Sequence, residues 1–505
     1  MLLNFGAFLA KRAEIEPDKP GLVFENTKLT FRQLNDRANR AANALKKIGV
    51  KQGNRVAILA QNSPEYYDVF YGVGKIGAIV VPINWRLAAP EIQFILENSG
   101  AKALVFGPEY VDLVAGLRGH VAIENYIYAG PGPKPDFALD LGEMRADADN
   151  SNPECDSEGD DTFVIMYTSG TTGRPKGTML THANFFWASV TFRTVVQQEQ
   201  EVERTLLVLP LFHIAAMFQM AAFVHWGQPV YLMNGFDPKV IFETIEREKI
   251  TSFGAVPAIL SFMRLVPDWQ KYDTSSLKVI LVFAAPVPVP LIEEYAKGGV
   301  VVRQLYGLTE CTGPATVIGP EEAVDRAGSC GKAFFHTDVK VVDMEGNETA
   351  PGEMGEVIIS GGHNMKGYWR NPDATEEALR DGWLYTGDVA YRDEDGFIFI
   401  ADRKKDMIIS GGENIYPAEI ESVIYGHPKV ADVGVIGLPD EKWGETVKAI
   451  IVPKPGVELA EAEIIEYLKG KIAKFKLPKS VAFTDSLPRN PSGKILKRVL
   501  REEYS

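Results

Sequence analysis

The sequence predicts an α/β protein: a large N-terminal domain of two α/β subdomains and a small β-barrel, followed by a small α+β C-terminal domain. Three observations predict it. Helix-period segments alternate with short β-branched runs through the first part of the chain, which implies largely parallel sheets with helices packed on them. From about residue 325 the pattern changes to short strands broken by Gly, Pro and Asp. The chain has 505 residues, more than one hydrophobic core usually organises.

In chain order, MLLNFGAFLAKRAEIEPDKP reads as an amphipathic first helix: its apolar residues precede its basic ones and no small-residue cleavage site follows. LTFRQLNDRANRAANALKKIG then reads as a helix leading into the strand NRVAILAQNS, and SPEYYDVFYGVGKIG as a helix leading into AIVVPINW. Gly72, Gly74 and Gly77 spell G-x-G-x-x-G, but here the helix comes before the strand, so they serve close packing and not a dinucleotide. Asp147 to Asp161 holds seven acidic residues and no Lys or Arg, the composition of a solvated connector, and is expected to mark a subdomain seam. Thr205 to Phe236 carries no charge, but Pro210, His213, Gln219 and His225 interrupt it, so it reads as a buried strand and a core or pocket-lining helix. Antiparallel strands are expected in 338–360 and 387–406. The α+β unit from Lys404 should hold the helix PAEIESVIYGH, the strands ADVGVIGLP and VKAIIVPK, the helix AEAEIIEYLKGKIAKF and a basic tail. The domain boundaries are therefore drawn at 1–403 and 404–505.

Composition narrows the function. With 53 basic against 67 acidic side chains the net charge is -14, which leaves no positive field for nucleic acid. Three widely spaced cysteines (Cys155, Cys311, Cys330) suit a reducing cytoplasm and form no disulfide framework. The seven histidines give no pair at metal-ligand spacing, and neither G-x-S-x-G nor H-E-x-x-H occurs.

The strongest local signal is YTSGTTGRPKGT, Tyr167 to Thr178, after the apolar run FVIM. A strand ending in small hydroxyl residues and glycines lets backbone N–H groups converge on an anion, while Ser169, Thr171 and Thr172 donate hydrogen bonds and Lys176 supplies charge. The spacing is not that of the standard nucleotide P-loop. This segment resembles the phosphate loop of the adenylate-forming enzymes, which include acyl-CoA synthetases, peptide-synthetase adenylation domains and firefly luciferase. The resemblance continues in the family's order with YGLTE (Tyr306 to Glu310), YTGD (Tyr385 to Asp388), DRKKDMIISGGENIYPAEIE (Asp402 to Glu421) and PRNPSGKILKR (Pro488 to Arg498).

The resemblance implies ATP, Mg2+ and CoA as cofactors and assigns roles. Thr168, Ser169, Gly170, Thr171, Thr172, Gly173 and Lys176 hold phosphates. Glu310 holds magnesium, as a carboxylate beside triphosphate is suited to do, and Thr309 meets the substrate carboxylate or α-phosphate. Tyr306 stacks on adenine, and Ala285 lies in an adenine loop that reads Phe-Ala-Ala-Pro where the family commonly has Gly-Gly-Ala-Pro. Asp388 accepts the ribose hydroxyls and Arg403 adds a second ribose and phosphate contact; read alone, Asp388 is better taken as a turn-capping acid. Lys494 is the catalytic lysine, offsetting charge on the α-phosphate and the attacking carboxylate. The family rotates its C-terminal domain between half-reactions, which puts Lys405 at the hinge and Gly412 in the segment facing the site afterwards.

For CoA, Lys442, Trp443, Lys474, Phe475, Lys476 and Lys479 form an aromatic and basic set, equally readable as a solvated lysine-rich surface. His213, Met217, Phe218, Phe253 and Val256 are expected to line the acyl pocket, with no charge waiting for an amino group. The leading expectation is a fatty or other hydrophobic acid:CoA ligase of bacterial type. The alternatives are an aryl-acid CoA ligase, a carrier-protein-loading adenylation enzyme and, last, a non-catalytic acyl-binding protein. The expected partners are small molecules in the cytoplasm; a homodimer and weak peripheral contact with a membrane surface stay open.

Overall fold

The computed structural model describes residues 3–168, 175–196, 204–285, 287–403, 406–410, 413–440, 442–489 and 495–505; at 402–403 and 413–414 it describes the backbone alone. The fold is mixed α/β with a large N-terminal and a small C-terminal part.

Two large sheets make up most of the N-terminal part. In the first, strands Thr162–Thr168, Ile79–Pro82, Arg55–Leu59, Ala103–Phe106, Asn125–Tyr128 and Leu139–Asp140 lie side by side in parallel. Antiparallel Lys176–Thr181 and Gly367–Tyr368 close its edge. The Arg55–Leu59 strand shows why these runs are apolar throughout: Val56 and Ile58 enter one core while Ala57 and Leu59 enter another on the opposite face. A parallel strand covered on both faces has no solvent side to make polar.

The second sheet is built from later sequence, with Val230–Leu232, Thr205–Leu207, Ser252–Ala255, Val279–Val282 and Val301–Leu308 parallel and consecutive. Pro20–Phe24, from near the start of the chain, joins its far side. One continuous core lies between the sheets, filled by helices Phe31–Lys47, Pro64–Lys75, His182–Val196 and Ile214–Trp226. The charge-free 205–236 stretch is a buried strand, a core helix and a second strand.

Asp147 to Asp161 is not the expected seam. The strands before and after it belong to the same sheet, and the segment is strapped onto the 31–47 helix. Asn39 donates to the Asn150 carbonyl at 2.8 Å, Asn43 to those of Asp149 and Ser151, and Arg40 to Ala148. Its acids face water while its backbone carbonyls are taken up by helix side chains, which composition alone does not reveal.

The later part follows the change of pattern. Thr337–Val342, Gly355–Gly361, Trp383–Arg392 and Ile398–Arg403 form an antiparallel sheet with Leu379–Arg380. The C-terminal unit has helix Pro417–Tyr425 and strands Val430–Asp440 and Gly444–Pro453. Its next helix is shorter than expected, Glu461–Leu468, because Gly470 turns to φ +76 and a 3-10 turn, Lys474–Lys476, follows. Gly72 brings its helix against the 31–47 helix, where a Cβ would lie 3.0 Å from the Ala42 nitrogen. Gly74 does the same against Phe163, so both glycines serve packing.

Candidate active site

The parallel strands of the second sheet point their carboxyl ends at one edge, the usual place for a ligand crevice in such sheets. His213 follows Thr205–Leu207, Val256 follows Ser252–Ala255, Ala285 follows Val279–Val282, and Tyr306 lies near the end of Val301–Leu308. Four residues far apart in sequence thus reach one rim through the register of adjacent strands.

Beyond Tyr306 the chain must turn sharply. The ladder shifts between Tyr306 and Gly307, and a Cβ on Gly307 would lie 2.1 Å from the Gly313 carbonyl oxygen, so only glycine permits the crossing. The 3-10 turn Thr309–Cys311 follows, closed by Thr312 at φ 54. A left-handed β-branched residue is strained. It is held by its hydroxyl, which donates to the His363 carbonyl at 2.7 Å.

Glu310, in that turn, is half-buried, and its Oε1 accepts hydrogen bonds from the Tyr368 hydroxyl at 3.0 Å and from Thr168 Oγ1 at 3.4 Å. Its own carbonyl accepts from Met365 N at 2.7 Å. The donors come from both ends of the first sheet's antiparallel edge: Thr168 ends the strand entering the phosphate loop, and Tyr368 pairs with the returning strand. Lys176 is the register partner of Thr168, and its Nζ sits 5.1 Å above the Tyr368 ring. Thr309 lies beside Glu310, also half-buried.

On the other side, the Tyr306 hydroxyl donates to Asp388 Oδ2 at 2.8 Å, and Asp388 is 4% exposed. Asp388 N donates to Thr386 Oγ1, and the register places Arg403 across from Asp388. Thr168 meets Glu310 and Tyr306 meets Asp388, so residues of the phosphate loop, YGLTE and YTGD come together in two hydrogen-bonded pairs. Ser169, Gly170, Thr171, Thr172, Gly173, Lys405, Gly412, Lys494 and the Arg403 side chain lie outside the described residues.

The structure fills the adenine-loop departure with backbone strain. Ala284 has φ +71, a left-handed conformation that disfavours any Cβ. Ala285 N then bonds back to the Phe283 carbonyl at 3.0 Å.

In the acyl-pocket set, His213 caps the N-terminus of the 214–226 helix with its ring 4.5 Å from that of Phe212. Met217, Phe218 and Phe253 are fully buried. Phe218 packs edge-on against Phe192 and also meets Gly313, so it braces the Glu310 turn from behind. Two residues escaped the sequence reading. Tyr368 is one: nothing in the spacing of KGYW links it to Glu310. Asn62 is the other, 4% exposed, donating to the Leu209 and Met233 carbonyls and accepting from Leu211 N, so that it holds the loop before His213.

In the C-terminal unit, Trp443 is 41% exposed, with Lys442 Nζ at 4.8 Å and Lys479 Nζ at 5.9 Å from its ring. Phe475 is 48% exposed. Lys476 is committed elsewhere, in an ion pair with Glu419 at 2.6 Å, which removes it as a free cation for phosphate.

Comparison with known proteins agrees with this geometry. Residues 9–369 match the model for the AMP-binding enzyme family, and residues 419–494 match that for the AMP-binding enzyme C-terminal domain. The long-chain-fatty-acid–CoA ligase FadD13 of Mycobacterium tuberculosis is 43% identical over 99% of both chains. A feruloyl-CoA synthase of Amycolatopsis sp is 40% identical over 99% of both. Among solved structures, the O-succinylbenzoate coenzyme A synthetase of Bacillus subtilis, in complex with ATP and magnesium, superposes with a TM-score of 0.85 at 33% identity, covering 97% of this chain and 98% of that one. With both family models matched and relatives of this identity spanning the whole length, the chain belongs to the AMP-binding enzyme family.

Proposed function

We propose that the protein is an AMP-forming carboxylic acid:CoA ligase acting on a fatty or other hydrophobic acid, with ATP, Mg2+ and CoA. The observation that carries this reading is the pair of hydrogen bonds that brings Thr168 to Glu310 and Asp388 to Tyr306, beside the carboxyl edge of the second sheet's parallel strands. A carboxylate is a poor acyl donor because its charge repels nucleophiles and oxide leaves badly. Attack of its oxygen on the ATP α-phosphorus forms the acyl–AMP anhydride and expels pyrophosphate. Attack by the CoA thiolate on the acyl carbon then forms the thioester and expels AMP. Catalysis is by positioning and charge stabilisation.

Glu310 fits a hard cation. With Oε1 oriented by Tyr368 and Thr168, the Glu310 carboxylate would hold a magnesium ion, a hard cation that prefers oxygen ligands. Magnesium, when bound, neutralises the triphosphate. Asp388 takes the ribose hydroxyls, Tyr306 the base, the 168–176 loop the phosphates and Lys494 the charge developing at the α-phosphate. Residues 1–403 form the AMP-binding domain and 404–505 a lid whose rotation exchanges Lys494 for the segment around Gly412. Trp443 with Lys442 and Lys479 is the better candidate for holding CoA, since a flat face and two cations meet there.

The apolar surroundings of His213, Met217 and Val256 favour a hydrophobic acid over an amino acid. The free cysteines Cys155, Cys311 and Cys330 support a cytoplasmic location. Among the described residues no helix is long and apolar enough to cross a membrane. The test is release of AMP and pyrophosphate with CoA and a panel of octanoate, palmitate, benzoate and coumarate. Turnover of at least one acid is expected; adenylation that proceeds only with a phosphopantetheinyl protein as acceptor would replace CoA in this reading.

A further inference from the structure

The two residues that donate to Glu310 each have a chain neighbour on the other face of the first sheet. Successive residues of a strand point to opposite faces. Thr168 turns towards Glu310 while Tyr167 packs on the far core, and Tyr368 turns towards Glu310 while Trp369 packs on that same far core. Both far-side residues end at one place, the last turn of helix Ala89–Ser99. The Tyr167 hydroxyl donates to Asn98 Oδ1 at 2.6 Å, and Trp369 Nε1 donates to the Asn98 carbonyl at 3.1 Å.

That end of the helix is built as an anchor. The last carbonyls of a helix have no partner within it, and its negative end favours cations. Arg370 also donates to the Asn98 carbonyl at 3.0 Å, and Arg55 donates to those of Ser99 at 2.8 Å and Gly100 at 2.7 Å. Arg370 stands at φ 53, a left-handed conformation that is strained for a residue with a Cβ. The same side chains reach both feet of the phosphate loop. Tyr167 and Gly177 are register partners beside Thr168 and Lys176, and Trp369 N donates to the Gly177 carbonyl at 2.7 Å. Gly177 leaves room for both rings: a Cβ there would stand 3.1 Å from Tyr167 Cζ and 3.3 Å from Trp369 Cβ. Asn98 is thus bonded to the chain neighbours of both Glu310 donors, through its side chain on one arm and its carbonyl on the other.

We infer that Asn98 is a positioning residue for magnesium and ATP: from behind the sheet it fixes how Thr168 and Tyr368 meet Glu310 and keeps the two feet of the phosphate loop in place. This rests on the reading of Glu310 as the magnesium ligand. Groups that support a metal ligand set the affinity for the metal. The proposed acyl pocket, by contrast, is built from the second sheet, so loss of the Asn98 side chain acts on the nucleotide and not on the acid.

The experiment compares wild type with Asn98→Leu, which removes the acceptor, Asn98→Asp, which keeps an oxygen in its place, and Tyr167→Phe, which removes only the hydroxyl. Calorimetry reads the Kd for the α,β-methylene analogue of ATP with magnesium. Pyrophosphate exchange reads the half-saturating magnesium and the KM for the acid, and melting curves show that each variant folds. Asn98→Leu and Tyr167→Phe are expected to weaken analogue binding and raise the magnesium requirement about three- to tenfold, less than loss of a direct support of a metal ligand. The KM for the acid stays unchanged, Asn98→Asp behaves as wild type, and the double variant loses no more than either single one. Should Asn98→Leu fail to fold, Tyr167→Phe alone decides. Unchanged analogue binding in Tyr167→Phe, additive losses in the double variant, or an acid KM that rises in step overturns the inference. Glu310→Gln separates the two readings: if it too leaves the magnesium requirement unchanged, the assignment of Glu310 falls, whereas a shift in Glu310→Gln alone keeps that assignment and removes the role of Asn98.

Discussion

The magnesium role proposed for Glu310 is supported by neighbours from two strands: one oxygen accepts hydrogen bonds from Tyr368 and Thr168, which orients the carboxylate. Tyr368→Phe should raise the magnesium concentration giving half-maximal ATP–pyrophosphate exchange by roughly tenfold, as loss of a group supporting a metal ligand does elsewhere. Glu310→Gln should raise it more. An unchanged magnesium dependence in both variants would remove Glu310 from the metal site. Ala284 makes a second prediction at this scale. At φ +71 it carries left-handed strain of about 1 kcal/mol, so Ala284→Gly should raise the urea midpoint. A lower midpoint would mean that the Ala284 methyl packs usefully. The sequence motifs exposed Ala284, Glu310 and Asp388 because each is a departure from, or a match to, a short pattern. They could not expose Tyr368 or Asn62, whose roles arise only when strands remote in sequence become neighbours.

At the scale of elements, helices and parallel strands were legible because their periodicity is local, and the 214–226 helix was read correctly through its lack of charge. What was misread turned on side chains reaching between elements. The Asp147–Asp161 strap looks solvated until Asn39, Arg40 and Asn43 of the neighbouring helix are seen to take its carbonyls. Lys75 is another such tie, 3% exposed, with its ammonium donating to Asn35 Oδ1 at 2.8 Å and Asn152 Oδ1 at 3.2 Å. Both partners are neutral, so burial pushes its pKa down to about 7 from 10.5. The unfolded chain then binds a proton below 10.5 that the folded chain takes up only near 7. Between those values the unfolded state holds more protons, so this residue's contribution to stability rises with pH and is lost as pH falls towards 7. The stability of wild type relative to Lys75→Met should grow by about 1.4 kcal/mol per pH unit between pH 7.5 and 9.5, read from urea unfolding at each pH. A flat difference would show that Lys75 keeps its ordinary pKa.

Across the whole molecule, hydrogen bonding ties the two parts together among the described residues. Ser261, on the helix that follows Val256, shares a 2.6 Å hydrogen bond with Tyr425 of the C-terminal unit. Within that unit the chain on either side of Lys494 is pinned: Arg489 pairs with Asp432 at 2.6 Å, and Lys497 with Glu421 at 3.1 Å. The chain flanking Lys494 is thus fixed to its own unit, so in the proposed rotation it would travel with that unit, while Glu310 and Asp388 belong to the larger part. The order of the motifs announced this division. How the two parts touch could not be read from it: the bond between Ser261 and Tyr425 has no local signature in the sequence. A lysine carried on a separate body can serve one half-reaction and be withdrawn for the other. Lys494→Ala should therefore lower the rate of acyl-AMP formation by about a hundredfold or more, the scale of losing one preorganised charge partner. Thiolysis of acyl-AMP supplied to the same variant should stay within a few fold of wild type. The two rates are separable by pyrophosphate exchange and by CoA consumption in single turnover. Equal losses in both would mean that Lys494 stays at the phosphate throughout, and that one arrangement of the two parts performs both steps.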